Sequence, residues 1–233
     1  VVATIKHEAF DGHKLLLVER LDLDGQPTAD YDICVESWMH LQIDRESDPA
    51  SREQLADGLR RVLGDVRVAV EDWPRMTECA DQIATELAQR PPAGIAAAEV
   101  AEAESLLRWL GAGNFTFLGY REYELTSEGA ANVLVPIQGT GLGLMRYDTE
   151  TPAASSFNRL TGVASERARE KRILVVTKAN TVSTVHRPVY LDYVGVKTFD
   201  AAGEVRGERR FIGLFTAGAY TNSVLTVPFI AQK

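Results

Sequence analysis

The chain has 233 residues, of which 45% are hydrophobic and 25% are charged. This composition is typical of globular proteins, and the length suits one large domain or two ordinary ones. A formal net charge of −8 repels phosphate backbones, so we expect no nucleic acid partner. Because no apolar run reaches the length of a bilayer span, we also expect no membrane partner.

The chain begins with VVATIKHEAF. This stretch has no charged leader and no apolar segment of the secretory type. It also lacks an initiator Met, and we expect a segment of a longer protein. Cys34 and Cys79 lie far apart and belong to no motif, which indicates free buried thiols in a reducing compartment. We therefore expect a cytoplasmic protein.

The first region, residues 1–74, combines strand and helix patterns. Residues 13–20 (HKLLLVER) predict a buried strand, and residues 22–30 predict a polar turn. Residues 31–43 (YDICVESWMHLQI) predict a second strand because apolar side chains alternate along it. This pattern is typical of a small sandwich in which a helix covers an antiparallel sheet.

A helix is predicted after these strands. Ser47 or Asp48 can cap it, with Pro49 in its first turn. Gly64 is expected to end the helix. Residues 66–70 (VRVAV) then predict a short strand, since β-branched residues dominate there.

Residues 75–112 carry two apolar stripes at helical spacing. Pro74 marks a break before the first stripe, and residues 90–94 (RPPAG) separate the two. We therefore predict a helical connector between two α/β units.

The last region, residues 113–233, is rich in strand patterns. Residues 115–125 (FTFLGYREYEL) predict a strand with alternating aromatic side chains. Residues 132–138 and 142–147 are expected to pair as a hairpin across the glycines at 139–141.

Further strands and one short helix follow. Residues 164–171 are expected to be helical, and residues 171–177 to form a strand. Long strands at 185–199 and 205–216 are joined at 200–203, which is a good hairpin signal. The fold class is therefore predicted as α+β, with two small sandwich units, of which the second has a mainly antiparallel sheet.

The glycine-rich stretch at residues 139–143 (GTGLG) has two interpretations. A dinucleotide-binding loop would need a third glycine where Leu144 stands, and a helix after it. A tight hairpin turn needs neither and is favoured. No cofactor-binding residue is therefore predicted.

The four histidines are His7, His13, His40 and His186. None has a second His or Cys at ligand spacing, so no metal site is predicted. For His186, a structural hydrogen-bonded role is favoured over a functional one. Because nucleophile elbows and Ser–His pairs at recognisable spacing are also missing, no catalytic residue is predicted.

Polar side chains are dense between residues 178 and 187. If the chain bends there, they can converge on a carboxylate or phosphate, with an arginine suited to bidentate pairing. The alternative is a loop whose hydroxyl and amide groups satisfy turn backbone, which is favoured about two to one. The candidate ligand-binding residues are Lys178, Asn180, Ser183, Thr184, His186 and Arg187.

A charged triplet, Glu208-Arg209-Arg210, lies within a predicted strand. Alternation places Glu208 and Arg210 on one face and Arg209 on the other. Cross-strand pairing with Asp192 or Lys197 is the plain explanation, and contact with another subunit is the alternative.

Several ordered blocks resemble one family, the large bacterial NAD-dependent glutamate dehydrogenases. That family typically shows a Glu-Ser-Trp-Met-His run, which Glu36–His40 reproduces. The resemblance touches most of residues 13–230 and is densest after residue 171. The blocks are VESWMHLQIDRESD (35–48), LRRVLGDVRVAVEDWPRM (59–76), GNFTFLGYREY (113–123), TKANTVSTVHRPVYLDYVGVKTFD (177–200) and GERRFIGLFTAGAY (207–220).

The resemblance implies a specific context. Members are very long cytoplasmic chains that form homo-oligomers and use NAD to convert L-glutamate to 2-oxoglutarate and ammonia. Their N-terminal regions carry ACT-like and PAS-like units with regulatory or architectural roles, and the dehydrogenase lies towards the C-terminus. The resemblance therefore implies an ACT-like domain at 1–74, a connector at 75–112 and a PAS/ACT-like domain at 113–233. It carries over no catalytic residue and no cofactor to this segment.

Three functions follow as hypotheses. The first is a non-catalytic regulatory and assembly segment, whose partners are the rest of its own chain and further copies of it. Its expected contacts are Trp38, Met39, Arg209 and Arg210, since aromatic residues and Arg are enriched at interfaces. The second is a sensor of an amino acid or small anion at residues 178–187. The third, an independent enzyme, is disfavoured because a catalytic constellation is missing.

Overall fold

The chain divides into two compact units, Val1–Arg52 and Glu53–Lys233, in a computed structural model. The structure describes residues 2–7, 17–19, 32–37, 41–128, 131–146, 159–160, 168–221 and 228. It contains mixed helices and antiparallel sheets, so the predicted α+β class is confirmed. The ACT-like and PAS-like character and the predicted division at residues 74 and 112 stay predictions.

The first unit contains a three-stranded antiparallel sheet. Strands β1 (Val2–His7), β2 (Leu17–Glu19) and β3 (Asp32–Ser37) pair in the order β2-β1-β3. The strands predicted at 13–20 and 31–43 are confirmed in part, since β2 and β3 lie within them. The polar turn predicted at 22–30 lies outside the described residues.

Helix α1 (Pro49–Gln89) is much longer than predicted. It begins where expected, and Asp48 caps it by accepting the Ser51 backbone N–H at 2.8 Å. The predicted stop at Gly64 and the predicted strand at 66–70 are wrong, because the helix continues through both.

Packing explains why the helix continues. One face of α1 is buried from Ala69 to Leu87 at helical spacing. A glycine inside a helix costs only about 1 kcal/mol relative to alanine, and a proline about 3 kcal/mol. Burial of several apolar side chains between Ala69 and Leu87, at roughly 1.5–3 kcal/mol each, outweighs the cost of Pro74. Around Gly64 the side chains of Leu63 and Val66 are exposed, so burial does not act there. Pro74 accordingly lies inside α1 rather than at a break.

Helix α2 (Ala97–Trp109) follows the predicted break at residues 90–94, and a π-helical turn (Leu110–Asn114) leads into the sheet. The buried side chains of α2 include Val100, Leu106 and Leu107, which belong to the predicted apolar stripe. The two helices predicted on either side of the Pro-Pro segment are thus confirmed.

The second unit is built on a seven-stranded antiparallel sheet. Its order is β7-β5-β4-β10-β9-β8, with β6 also paired to β4. A last short helix, α3 (Ala217–Thr221), follows. The strands are β4 (Phe115–Glu128), β5 (Ala131–Pro136), β6 (Leu142–Gly143), β7 (Arg159–Leu160), β8 (Leu174–Val182), β9 (Tyr190–Phe199) and β10 (Val205–Phe215).

The strand at 115–125 and the hairpin turn at 200–203 are confirmed by β4 and by the β9–β10 pair. The strand predicted at 171–177 becomes β8, displaced by a few residues. The strand predicted at 185–199 begins only at Tyr190, because residues 183–189 form a loop. Of the helix predicted at 164–171, residues 168–169 are helical and residues 164–167 lie outside the described residues.

The main core lies between the helices and one face of this sheet. Met76, Leu107, Phe117, Phe211 and Val194 are among its fully buried side chains. Its aromatic rings meet edge to face, as between Phe117 and Phe211 with centroids 5.4 Å apart.

A second apolar cluster lies apart from this core, and the β4–β10 ladder shifts register at one of its members. Opposite Gly119 and Phe117 lie Ile212 and Gly213, so Leu118 is an extra residue in β4. Leu118 and Leu214 are buried in the second cluster.

No helix in the described part of the chain combines the length and apolar character needed to cross a membrane.

Candidate functional site

The glycine-rich stretch at 139–143 lies along the edge of β4. The predicted hairpin between 132–138 and 142–147 is wrong, because β5 and β6 both pair with β4 rather than with each other. Thr140 fills the gap between them: its Oγ1 accepts the Glu122 N–H at 3.1 Å and donates to the Ile137 carbonyl at 2.7 Å. The stretch is therefore an irregular segment beside β4, in which the Thr140 hydroxyl takes part in the hydrogen bonding to that strand.

The predicted ligand-binding residues lie on β8 and on the loop that joins it to β9. Lys178 is paired with Asp192 of β9 at 2.6 Å. Thr184 Oγ1 donates to Asp65 of α1 at 2.6 Å. Arg187 donates to the carbonyl of Phe215 at 2.8 Å. Three of the predicted residues thus bind three different elements of their own chain.

The remaining members of that set show mixed exposure. Ser183 is buried, and its hydroxyl donates to the Val185 carbonyl at 2.7 Å, as the turn-satisfying alternative predicts. His186 has a left-handed backbone (φ 68°), and it is exposed, as is Asn180. Ligand binding at residues 178–187 stays a prediction.

Arg209 faces the helices. Its Nη1 donates to Glu86 of α1 at 2.6 Å, and its Nε lies 3.8 Å from Glu122 of β4. The hydroxyl of Tyr120 donates to the same Glu122 at 2.7 Å. Burial, helped by that bond, raises the pKa of Tyr120, because both favour the protonated phenol.

Arg210 lies on the opposite face, as alternation predicts, and is buried. Its guanidinium carbon stands 4.1 Å from the ring centroid of Tyr123 and 5.0 Å from that of Tyr193. Its Nε donates to Glu208 at 3.2 Å, and the Tyr193 hydroxyl also binds Glu208. This cluster is a cation held between two aromatic rings and one carboxylate.

Two features of this cluster escape sequence reasoning. Lys197 of β9 lies opposite Glu208 in the ladder, as expected. The rings that flank Arg210 come from both neighbours of β10, namely Tyr123 from β4 and Tyr193 from β9. Gly195 makes room for Glu208 and for the Tyr193 ring, since a Cβ there would stand 2.9 Å from Glu208 Cδ and 3.0 Å from Tyr193 Cε1. The alternation of side chains along one strand does not indicate which strands will pair with it. The interface role predicted for Arg209 and Arg210 stays a prediction, and Trp38 and Met39 lie outside the described residues.

Cys79 is a free thiol on α1. Burial, with the nearby Glu122 carboxylate, raises the pKa of this thiol and lowers its reactivity. Among the described residues, no group of three or more His, Cys, Asp or Glu side chains is arranged as metal ligands. The side chain of Cys34 lies outside the described residues.

A cleft of about 600 Å³ opens between the end of α1 and the β9–β10 hairpin. Glu86, Arg90 and Arg209 line it, together with the Pro91-Pro92 segment. Its volume is within the range of about 300–1,000 Å³ that is usual for small-molecule sites. Sequence reasoning missed this cleft, because its walls are more than a hundred residues apart in the chain.

Comparison with known proteins gives one consistent result. The chain is 34% identical over 223 residues to a protein of Halomonas elongata named NAD-specific glutamate dehydrogenase, with 96% of this chain aligned. A protein of the same name from Pseudomonas aeruginosa is 36% identical over 202 residues, covering 87% of this chain. The resemblance to this family is confirmed. A further NAD-specific glutamate dehydrogenase, from Mycobacterium tuberculosis, is 27% identical over 232 residues and 99% of this chain.

The chain spans only a small part of these glutamate dehydrogenases, namely 14%, 12% and 13% of the three proteins in the same order. No protein-family model matches the chain.

Proposed function

We propose that this chain is a non-catalytic regulatory and assembly segment of a large NAD-dependent glutamate dehydrogenase. In this proposal a separate catalytic domain of the same protein converts L-glutamate, NAD and water to 2-oxoglutarate, ammonia and NADH. The carrying observation is that nearly the whole chain aligns with 12–14% of dehydrogenases of that name. Most of each relative therefore lies outside the aligned segment.

The sheet geometry supports this proposal. Dinucleotide-binding domains use parallel strands and a glycine-rich turn that opens a helix. The strand pairs described here are antiparallel. The GTGLG stretch runs along a sheet edge, where its backbone faces β4.

The buried charges support an architectural role. Glu208 and Arg210 are both buried and bound to each other and to Tyr193. In some proteins a buried ion pair fixes one arrangement of the chain more than it adds stability, and we infer that use of it in a segment with an architectural role. The proposal further includes a cytoplasmic location and self-association of the full-length protein.

The first test is enzymatic. The purified 233-residue chain is incubated with L-glutamate and NAD, and NADH formation is followed by absorbance. The proposal predicts no glutamate-dependent NADH from this chain and steady production by the full-length protein. Glutamate-dependent NADH from the isolated chain would overturn the non-catalytic assignment.

The second test addresses the regulatory and assembly role. The full-length protein is compared with a version that lacks this segment, by light scattering and by NADH formation over a panel of amino acids. We expect an altered oligomeric state or an altered response to the panel. If the deletion leaves both unchanged, the segment has neither role.

A further inference from the structure

The cleft beside the end of α1 combines charge with apolar walls. Two cationic side chains line it, those of Arg90 and Arg209, against the two carboxylates of Glu86 and Asp200. Lys197 also borders the cleft, but its side chain lies on the other face of the sheet, where its Nζ donates to the Glu170 carbonyl at 2.9 Å. The formal charges of the two arginines and two carboxylates balance, so the cleft favours an anionic ligand only where its carboxylates are bound by groups of the chain itself.

Both carboxylates are already engaged inside the chain. Glu86 accepts a hydrogen bond from Arg209 at 2.6 Å. Asp200 Oδ1 accepts the backbone N–H groups of Ala202 and Glu204, each at 2.9 Å. Arg90 is exposed at the same cleft. The guanidinium of Arg90 therefore remains available to a ligand at the arginine end, beside Arg209, whose Nη1 is bound to Glu86.

The rest of the wall is apolar. It is formed by Ile83 and Leu87 of α1, by Pro91 and Pro92, and by Val196 and Phe199 of β9. The side chains of Ile83 and Leu87 are both buried. Such a wall removes the apolar body of a ligand from water, while the polar groups at one end orient it.

The two walls are held in contact. Gly203, in the β9–β10 turn, has φ 77° and approaches Ala93 so closely that a Cβ would lie 2.3 Å from the Ala93 carbonyl oxygen. The Glu86–Arg209 pair links the same helix end to β10. The cleft is thus largely preformed, which lowers the entropic cost of binding.

We propose that this cleft binds a small monocarboxylate with an apolar body. The guanidinium groups of Arg209 and Arg90 hold the carboxylate, because planar guanidinium donors match carboxylate oxygens. The apolar body lies on Ile83, Leu87 and Phe199. The proposal does not depend on the glutamate dehydrogenase assignment, since it concerns this chain alone.

Three matched probes test the ligand class by isothermal titration calorimetry with the 233-residue chain. They are 4-phenylbutanoate, its neutral amide and 4-phenylbutylamine, which share one apolar body and differ in charge. We expect the carboxylate to bind at least tenfold more tightly than the amide, and the amine more weakly than both. Equal affinity of carboxylate and amide, or no saturable carboxylate binding up to about 10 mM, would overturn the proposal.

Matched variants locate the site. Arg209→Gln should weaken carboxylate binding at least tenfold. Arg206→Gln, on the same strand but 70% exposed and outside the cleft, should leave it within twofold. Because Arg209→Gln also removes the Glu86 pair, Ala201→Leu is a second variant: Ala201 is exposed at the rim, and the larger side chain should block the cleft. Unchanged affinity in folded Arg209→Gln or Ala201→Leu would place the site elsewhere.

Discussion

Asp72 joins the long helix α1 to the edge of the second sheet. It is 3% exposed, and its Oδ2 accepts the Gly143 N–H at 2.8 Å and the Arg146 Nε–H at 2.9 Å. The hydrogen bond from Arg146 lowers the pKa of Asp72 against the opposing effect of burial. We therefore expect this carboxylate to stabilise the docking of α1 on β6.

Two substitutions separate its contributions. Asp72→Asn keeps an oxygen for the Gly143 N–H but loses the charge that faces Arg146. A hydrogen bond to a charged group is worth about 1.5–3 kcal/mol, and Arg146 is 29% exposed, so water recovers part of that loss. We expect the free energy of unfolding to fall by about 2 kcal/mol. Asp72→Ala also leaves the Gly143 N–H unsatisfied and should cost about 1 kcal/mol more.

The same helix supplies a matched control. Asp81 pairs with Arg108 at 2.7 Å, but its side chain is 67% exposed. Asp81→Asn should therefore cost about 0.5 kcal/mol or less. Urea unfolding measures both costs, and hydrogen exchange of residues 137–146 shows whether the edge of the sheet opens. Equal costs for Asp72→Asn and Asp81→Asn would contradict a stabilising role for the buried pair.

The lowered pKa of Asp72 also fixes the direction of a pH effect. Its contribution is fully present above the unfolded pKa of about 3.9 and is lost as pH falls through the lower folded value. The stability difference between the wild-type chain and Asp72→Asn should thus be constant near neutral pH. It should shrink below about pH 4. A stability difference between the two chains that increased as the pH fell would contradict this prediction.

Three further predictions use single contacts. Gly203→Ala should destabilise by about 2–3 kcal/mol, since a positive φ coincides with contact against Ala93. Gly139→Ala, with the same φ but open space, should cost only about 1–2 kcal/mol, and equal losses would contradict the contact. Thr140→Val should lower the free energy of unfolding in urea by about 1–2 kcal/mol, because the Glu122 N–H of β4 loses its acceptor. Thr140→Ser keeps the hydroxyl and should change that free energy little. Cys79 should alkylate more slowly in the folded chain than in urea, because burial raises its pKa, which peptide mass spectrometry can measure. Equal rates would contradict this.

Hairpin β9–β10 illustrates what local sequence determines. The turn at 200–203 combines Asp200, whose carboxylate accepts two turn N–H groups, with Gly203 at positive φ. The Asp200 hydrogen bonds and the positive φ of Gly203 both involve only residues 200–204. The strand β4 was likewise predictable, because four aromatic side chains recur within nine residues of it, although their alternation breaks at the extra residue Leu118. The resemblance to glutamate dehydrogenases likewise depends on the order of short sequence blocks and not on contacts between distant residues.

Helix α1 shows where local preference fails. Its VRVAV segment favours a strand and its Pro74 favours a break, but the face from Ala69 to Leu87 is buried against residues far away in the chain. The same holds for the glycine stretch at 139–143, where β4 offers a better partner than a hairpin does.

By itself, the sequence determined the α+β class, the β9–β10 hairpin, the start of α1 near Pro49 and the likeness to glutamate dehydrogenases, since each depends on neighbouring residues. The choice of Asp48 over Ser47 as the cap came from the structure. Tertiary structure alone decided the length of α1, the aromatic surroundings of Arg210 and the cleft at Arg209. The physical reason is that these features join segments separated by tens to more than a hundred residues. Burial and charge pairing between such segments outweigh local preferences of a few kcal/mol at most.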